Sequence, residues 1–188
     1  MNTYYTKLDS ISPSLYENFK NLGEQHVCGG GWTKYYNTDL SRNILLPDHL
    51  KNDFHLSYMT FIGDNAHPHV DLEIGCRINI YLSENNCPTK FFSVRAKEFE
   101  KPKPVSCADC TVEKFCAGEC QCSFKLNNLV LEDQFVAHRN DIYLLNIRKI
   151  HSVDGLTKTN YREALSFTTH LPYETVYNSL LEYGSFSI

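Results

Sequence analysis

The sequence predicts a mainly β protein in which two sheets form a sandwich or barrel under helical cover. Three observations lead there. Twelve tyrosines and eleven phenylalanines in 188 residues favour strands, which aromatic side chains suit. From residue 56 onward short alternating runs follow one another, separated by turn residues. Helical spacing is confined to the two ends, and helices flanking a run of strands point to layered β architecture. The length suits one domain over 1–188, able to bury a core without disulfides or a structural metal.

In chain order, Ser12 is an N-cap candidate, followed by proline and then by Leu15, Phe19 and Leu22 at helical spacing; a helix is expected from about 13 to 25. GGGWTKYYNTD reads as a glycine-rich loop before a short aromatic strand, and PDHLKNDF as a short helix. Strands are expected in LSYMTFIG, CRINIYLS and TKFFSVRA, divided by HPHVDLEIG and ENNCP. Further strands are expected in SFKLNNLVLE, DIYLLNIR and YREALSFTTH. YETVYNSLLEYG, with Val176, Leu180 and Tyr183 on one face, closes the chain as a helix packed on the sheet. A mixed-charge, proline-bearing and cysteine-rich stretch at about 96–122 fits neither pattern and reads as an insertion between strands.

A net charge of −4 without a long basic run speaks against a nucleic-acid partner. No apolar run approaches bilayer length, and the N-terminus has no signal-peptide pattern, so a cytoplasmic location and no membrane contact are expected. Cysteines there stay mostly reduced.

Side chains alternate along a strand, so Arg77, Asn79 and Tyr81 share one face of CRINIYLS, opposed by Ile78, Ile80 and Leu82. In YREALSFTT, Arg162, Ala164, Ser166 and Thr168 oppose Leu165 and Phe167. Either the polar face looks at solvent, or it lines a cavity inside a barrel while the apolar face packs under helices. Chemistry-bearing groups on the same strands favour the second. His69 and Asp71 stand two apart just before the first polar strand, and His151 follows DIYLLNIRKI near the end of another. Two histidines and a carboxylate suit one face of an octahedral iron, leaving three positions open.

HxD, a distal histidine in HSV and an arginine eleven residues later in RxxLSF resemble the Fe(II)/2-oxoglutarate-dependent dioxygenases over roughly 56–170. The resemblance implies a double-stranded β-helix, or jelly roll, with flanking N- and C-terminal helices. It implies that His69, Asp71 and His151 ligate Fe(II) and that Arg162 pairs with the distal carboxylate of 2-oxoglutarate. Ser166 could add a hydrogen bond, although the family's common serine lies two residues after the arginine, where this chain has Ala164. Asn79 and Tyr81 are candidates for cosubstrate contacts, and Arg77 for the cosubstrate or an anionic substrate. His67, before Pro68, reads as a neighbour and not a ligand. The implied activity is hydroxylation of a C–H bond with release of succinate and carbon dioxide, since the family's halogenases lack the carboxylate that Asp71 supplies. The arginine in RINIYL resembles the amino-acid and asparaginyl/aspartyl hydroxylases, so the expected partners are 2-oxoglutarate, dioxygen and an amino-acid or peptide substrate.

Cys107, Cys110, Cys116 and Cys120, with Cys122 beyond, are dense enough for a structural zinc site. Their spacing is also similar to the SPASM domains, which hold iron–sulfur clusters; free thiols are the plain alternative. Cys28, Cys76 and Cys87 read as packed side chains. Two other functions stay open: a non-catalytic β-barrel with a zinc-stabilised docking module, and a cupin-type metalloenzyme that does not use 2-oxoglutarate. Whether residues 29–32 form a lid that brings Trp32 over the metal is also open.

Overall fold

A computed structural model describes residues 2–8, 24–28, 32–36, 46–47, 49–61, 66–71, 74–95, 121–124 and 126–182. Twelve strands are present among them: β1 (Tyr5–Leu8), β2 (Glu24–Cys28), β3 (Trp32–Tyr36), β4 (His55–Phe61), β5 (Ala66–Asp71), β6 (Cys76–Tyr81), β7 (Pro88–Val94), β8 (Gln121–Ser123), β9 (Leu129–Val136), β10 (Ile142–Leu145), β11 (Ile150–Val153) and β12 (Arg162–Thr169). One helix follows, α1 (Tyr173–Glu182).

The strands form two antiparallel sheets. The larger runs β1-β10-β6-β12-β4-β3-β2 and the smaller β8-β5-β11-β7-β9. From β4 to β7 the chain alternates between sheets, and it does so again from β9 to β12. Between these two runs β7 and β9 pair within the smaller sheet, which turns the path back on itself. That is the double-stranded β-helix expected from the sequence. Across the barrel β10 and β6 meet β9, β6 meets β5 and β12 meets β7, through Phe135–Tyr143, Tyr81–Phe135, Arg77–Asp71 and Arg162–Thr89.

Alternation then divides the larger sheet's two faces. Ile78, Ile80, Ile142, Leu144, Leu165 and Phe167 join Val176 and Leu180 of α1 in one buried cluster on the outer face. Val176 and Leu180 lie one helical turn apart, so a single stripe of α1 meets the sheet. Full burial of each contributes about 1.5–3 kcal/mol. Tyr173 joins the same cluster and shares a 2.7 Å hydrogen bond with Thr6 of β1. On the inner face, Tyr81, Phe91, Phe135, Tyr143 and Leu145 make a second cluster, in which Phe135 and Tyr143 stack at 4.0 Å. Arg77, Asn79 and Tyr81 of β6 and Arg162 and Ser166 of β12 therefore look into the barrel and not at solvent.

Several sequence expectations need correction. HPHVDLEIG is not a divider: most of it is β5, which pairs with β11 and β8. Glu24 and Gln25, placed at the end of a first helix, belong to β2; the rest of that helix lies outside the described residues. PDHLKNDF carries only a 3-10 turn, Lys51–Asp53. SFKLNNLVLE is not one strand: β8 ends at Ser123, a 3-10 turn spans Leu126–Asn128, and β9 begins at Leu129. His151 sits inside a strand of its own, β11. The expected aromatic strand after the triple glycine is β3, and the expected C-terminal helix is α1. No described helix is long and apolar enough to cross a membrane.

Gly75 stands where the end of β12 crosses the start of β6. Its N–H donates to Thr169 O at 2.7 Å, and an added Cβ would fall 2.0 Å from Leu171 O and 2.5 Å from His170 O. Backbone carbonyls cannot swing aside as a side chain can. Gly75→Ala is expected to lower the unfolding free energy by about 2–3 kcal/mol, read as a shifted urea midpoint.

Candidate metal centre

Antiparallel pairing of β5 with β11 sets His69 directly opposite His151. Their rings lie 4.3 Å apart between centroids, tilted by 53°. Each ring is held from behind by a carbonyl two residues upstream. His69 Nδ1 lies 2.6 Å from His67 O, and His151 Nδ1 lies 2.9 Å from Lys149 O. A proton on each Nδ1 makes these bonds and leaves the Nε2 lone pairs facing inward, the arrangement found behind metal-bound imidazoles. His67 thus serves through its backbone, and its side chain is exposed.

Asp71 lies two residues beyond His69 on the same face, its N–H bonded to Ile147 O at 3.1 Å. Its Oδ1 approaches His69 Nε2 to 3.7 Å, and one ligand atom from each of His69, Asp71 and His151 falls within 4.8 Å of the others. All three are buried, at 5 %, 2 % and 7 % exposure. Two imidazoles and one carboxylate converging on a single point fit a divalent transition metal with open positions. Burial, helped by the neighbouring His69, pushes the His151 imidazole down to about 3, so its lone pair is available across the physiological range.

Deeper in the same barrel lies Arg162, 2 % exposed. It donates from Nη1 to Thr89 Oγ1 at 2.7 Å and from Nη2 to the Cys87 carbonyl, and its guanidinium carbon sits 5.1 Å over the Tyr81 ring. Burial lowers its pKa from the usual arginine value, yet a guanidinium stays charged. Thr89 pairs with Val153, two residues along β11 from His151, which sets the guanidinium roughly 7 Å further along the strands than the histidines. Between the two, Asn79 and Ser166 face each other across β6 and β12. Among the described residues Asn79 Oδ1, Ser166 Oγ and Arg162 Nε are buried without a hydrogen-bond partner, while Asn79 Nδ2 reaches Tyr81 Oη at 3.5 Å. Arg77 turns instead toward the triad, its Nη2 lying 3.4 Å from Asp71 Oδ2.

The structure thus brings His69, Asp71 and His151 together, with Asn79, Tyr81, Arg162 and Ser166 lining the adjoining barrel. Sequence reasoning missed Thr89 and Phe91, both fully buried on the inner face of β7. Their alternation in PTKFFSV was the available signal, hidden by the adjacent Phe92. Phe91 stands 6.1 Å from His151 and, with Tyr4 and Tyr5, closes that side. Cys107, Cys110, Cys116 and Cys120 lie outside the described residues, as does the side chain of Cys122, whose backbone in β8 pairs with Val70. Cys76 and Cys87 are buried free thiols. The side chains of Cys28 and Trp32 and the proposed lid also lie outside the described residues.

The sequence matches no family model and no curated protein. Among solved structures, the non-heme α-ketoglutarate-dependent epimerase SnoN from nogalamycin biosynthesis superposes with a TM-score of 0.52 at 12 % identity, over 88 % of this chain and 78 % of that one. The fold is a double-stranded β-helix. Hazelnut (Corylus avellana) vicilin matches over 78 % of this chain at 9 % identity and a TM-score of 0.41. The chain spans only 31 % of that vicilin. A cupin-like protein from Thermotoga maritima matches over 82 % of this chain and 83 % of its own, with 11 % identity and a TM-score of 0.35.

His151 gives the metal-free protein a defined pH dependence. Its imidazole titrates near 6.5 when unfolded and near 3 when folded, so the unfolded chain binds the extra proton. That stability is fully present above pH 6.5 and is lost as pH falls toward 3. Between pH 8 and pH 5 the loss is about 2 kcal/mol, and His151→Gln should flatten that part of a urea-midpoint-versus-pH curve.

Proposed function

We propose that the protein is an Fe(II)/2-oxoglutarate-dependent oxygenase that hydroxylates a C–H bond of a small molecule or of an amino-acid or peptide side chain, releasing succinate and carbon dioxide. One observation carries the reading: a buried guanidinium, Arg162, whose partners among the described residues are all neutral, stands in the same barrel as the His69–Asp71–His151 cluster. Burying a cation without a counter-charge is costly. An anionic ligand that spans the barrel would remove that cost at one end while chelating a metal at the other. A dicarboxylate with a 2-oxo group has that form.

In this reading His69, Asp71 and His151 hold the iron by one atom each. Arg162, oriented by Thr89 and the Cys87 carbonyl, receives the distal carboxylate. Asn79 Oδ1 and Ser166 Oγ, buried and unpartnered, serve polar groups along the way; Ser166, facing Asn79 across the sheet, takes that role despite its offset from the family's serine. Tyr81 supports the guanidinium from one face. When bound, iron and its cosubstrate supply the dioxygen chemistry that removes a hydrogen atom from the substrate and returns a hydroxyl. The protein's share is to orient these partners and keep water away, which Phe91 and the aromatic cluster behind it do. SnoN, described as α-ketoglutarate-dependent, shares the fold at a TM-score of 0.52, which supports the cosubstrate over a cupin chemistry without it. We further propose that the chain works as one oxygenase domain, with the cysteine-rich segment at about 96–122 as an insertion that takes no part in the reaction.

Anaerobic titration with Fe(II) and 2-oxoglutarate, followed by absorbance, tests this. A broad visible charge-transfer band is expected from the wild type. Arg162→Ala should need roughly tenfold or more extra cosubstrate to reach the same band, and folded His151→Ala should give none. Iron binding without a band would leave the cupin-type metalloenzyme. Folded wild type that binds no iron would leave the non-catalytic barrel.

A further inference from the structure

We infer that Arg77 is a positioning residue that holds Asp71 to coordination through one oxygen and so keeps open a metal position that an exogenous ligand needs. The inference rests on the metal-centre reading above and reassigns Arg77 from the cosubstrate contact its sequence position suggested.

The two oxygens of Asp71 have different neighbours. Oδ1 faces His69 Nε2 at 3.7 Å, on the side where the ligand atoms converge. Oδ2 faces Arg77 Nη2 at 3.4 Å. Arg77 belongs to the other sheet, where its backbone pairs with Leu145 and Thr168. Its side chain crosses the barrel to reach the carboxylate, and Nη1 lies 3.6 Å from Met59 Sδ on β4. The guanidinium is thus lodged between a thioether and a carboxylate, and the residue is 8 % exposed.

A carboxylate can give a metal one oxygen or two. Two imidazoles and a one-oxygen carboxylate leave three places on an octahedral metal, enough for a chelating cosubstrate and dioxygen together. A two-oxygen carboxylate leaves only two. Engaging Oδ2 from behind with a charged donor biases Asp71 toward the first arrangement. The same cation stands close to the incoming metal and opposes it. Arg77 therefore weakens metal binding while keeping the site open. A residue that served only as the ion-pair partner of a buried Asp71 would share the first effect, because its loss also leaves the carboxylate's charge unopposed, but not the second: cosubstrate binding would not change.

The cosubstrate reading therefore makes the test. Co(II) replaces iron anaerobically, and its visible spectrum reports affinity and coordination in the wild type, Arg77→Met and Arg77→Lys. Arg77→Met should bind Co(II) roughly tenfold tighter. It should also need roughly tenfold more 2-oxoglutarate to perturb the bound-metal spectrum. Arg77→Lys keeps both a charge and a donor and should restore both readings to within about threefold of wild type. Arg77→Gln takes the place of the methionine variant if the latter does not fold, with the same rise in Co(II) affinity expected from the lost charge. Weaker Co(II) binding in the neutral variant, or unchanged cosubstrate binding, overturns the role. Wild type that binds no Co(II) overturns the metal centre itself. If wild type binds Co(II) but ignores 2-oxoglutarate, the cosubstrate assignment falls alone. Azide, which needs only an open position, then serves as the probe, and Arg77→Met should bind it less well than wild type.

Discussion

The site depends on the direction in which one sheet faces. α1 covers the larger sheet from outside and buries Ile78, Ile80, Leu165 and Phe167 against Val176 and Leu180. Because successive side chains on a strand alternate, satisfying that outer core sends Arg77, Asn79, Tyr81, Ala164 and Ser166 inward. No local preference of these polar residues for the interior is needed. The hydrophobic stripe of a short helix, together with the pleat, decides which residues line the barrel. The smaller sheet completes the arrangement: its strands β5 and β11 deliver His69, Asp71 and His151 onto the same interior.

An interior built this way carries an electrostatic load. Arg77, Asp71 and Arg162 are all buried, and isolated charges in such surroundings are costly. Arg77 and Asp71 offset each other. Arg162 is partnered by a hydroxyl, a carbonyl and an aromatic face, none of which carries opposite charge. The unpartnered Asn79 Oδ1 and Ser166 Oγ lie on the strands between these two regions. Fold stability alone would replace such groups with apolar ones of similar volume. Their presence along one continuous inner surface, with the imidazoles at one end and the guanidinium deeper in, is what a polar ligand running through the barrel would require.

Much of this was legible in the chain. The alternation in CRINIY and REALSF carried the two-faced character of β6 and β12, and His69, Asp71, His151 and Arg162 stood out by residue type and order. What escaped reading has physical causes. HPHVDL looked like a turn because proline and two histidines obscure its strand character; yet Pro68 fits there, since its carbonyl accepts the Phe124 N–H at 2.8 Å and it has no N–H to leave unpaired. Asn-Asn at 127–128 breaks SFKLNNLVLE into two strands that pair at opposite edges of the smaller sheet, a division set by tertiary pairing and not by composition. Thr89 was invisible because its importance lies in a partner 73 positions away. Likewise, the orientation of Arg77 toward Asp71 depends on how the two sheets face, which no local pattern encodes.

Backbone geometry also explains why the triad can exist before any metal arrives. Two imidazoles and a carboxylate brought together in a buried space would ordinarily need the ion to fix their orientations. Here each ring is already tied through Nδ1 to a carbonyl of its own strand, at His67 and Lys149, and the Asp71 backbone is tied to Ile147. The two tied carbonyls precede their histidines by the same two residues, on strands that pair with His69 opposite His151, so one antiparallel register sets both lone pairs at once. Desolvation keeps His151 neutral, so a metal arriving near neutral pH displaces no proton there. Ring orientation at both histidines, and the neutral state of His151, are thus supplied largely by strand pairing and burial.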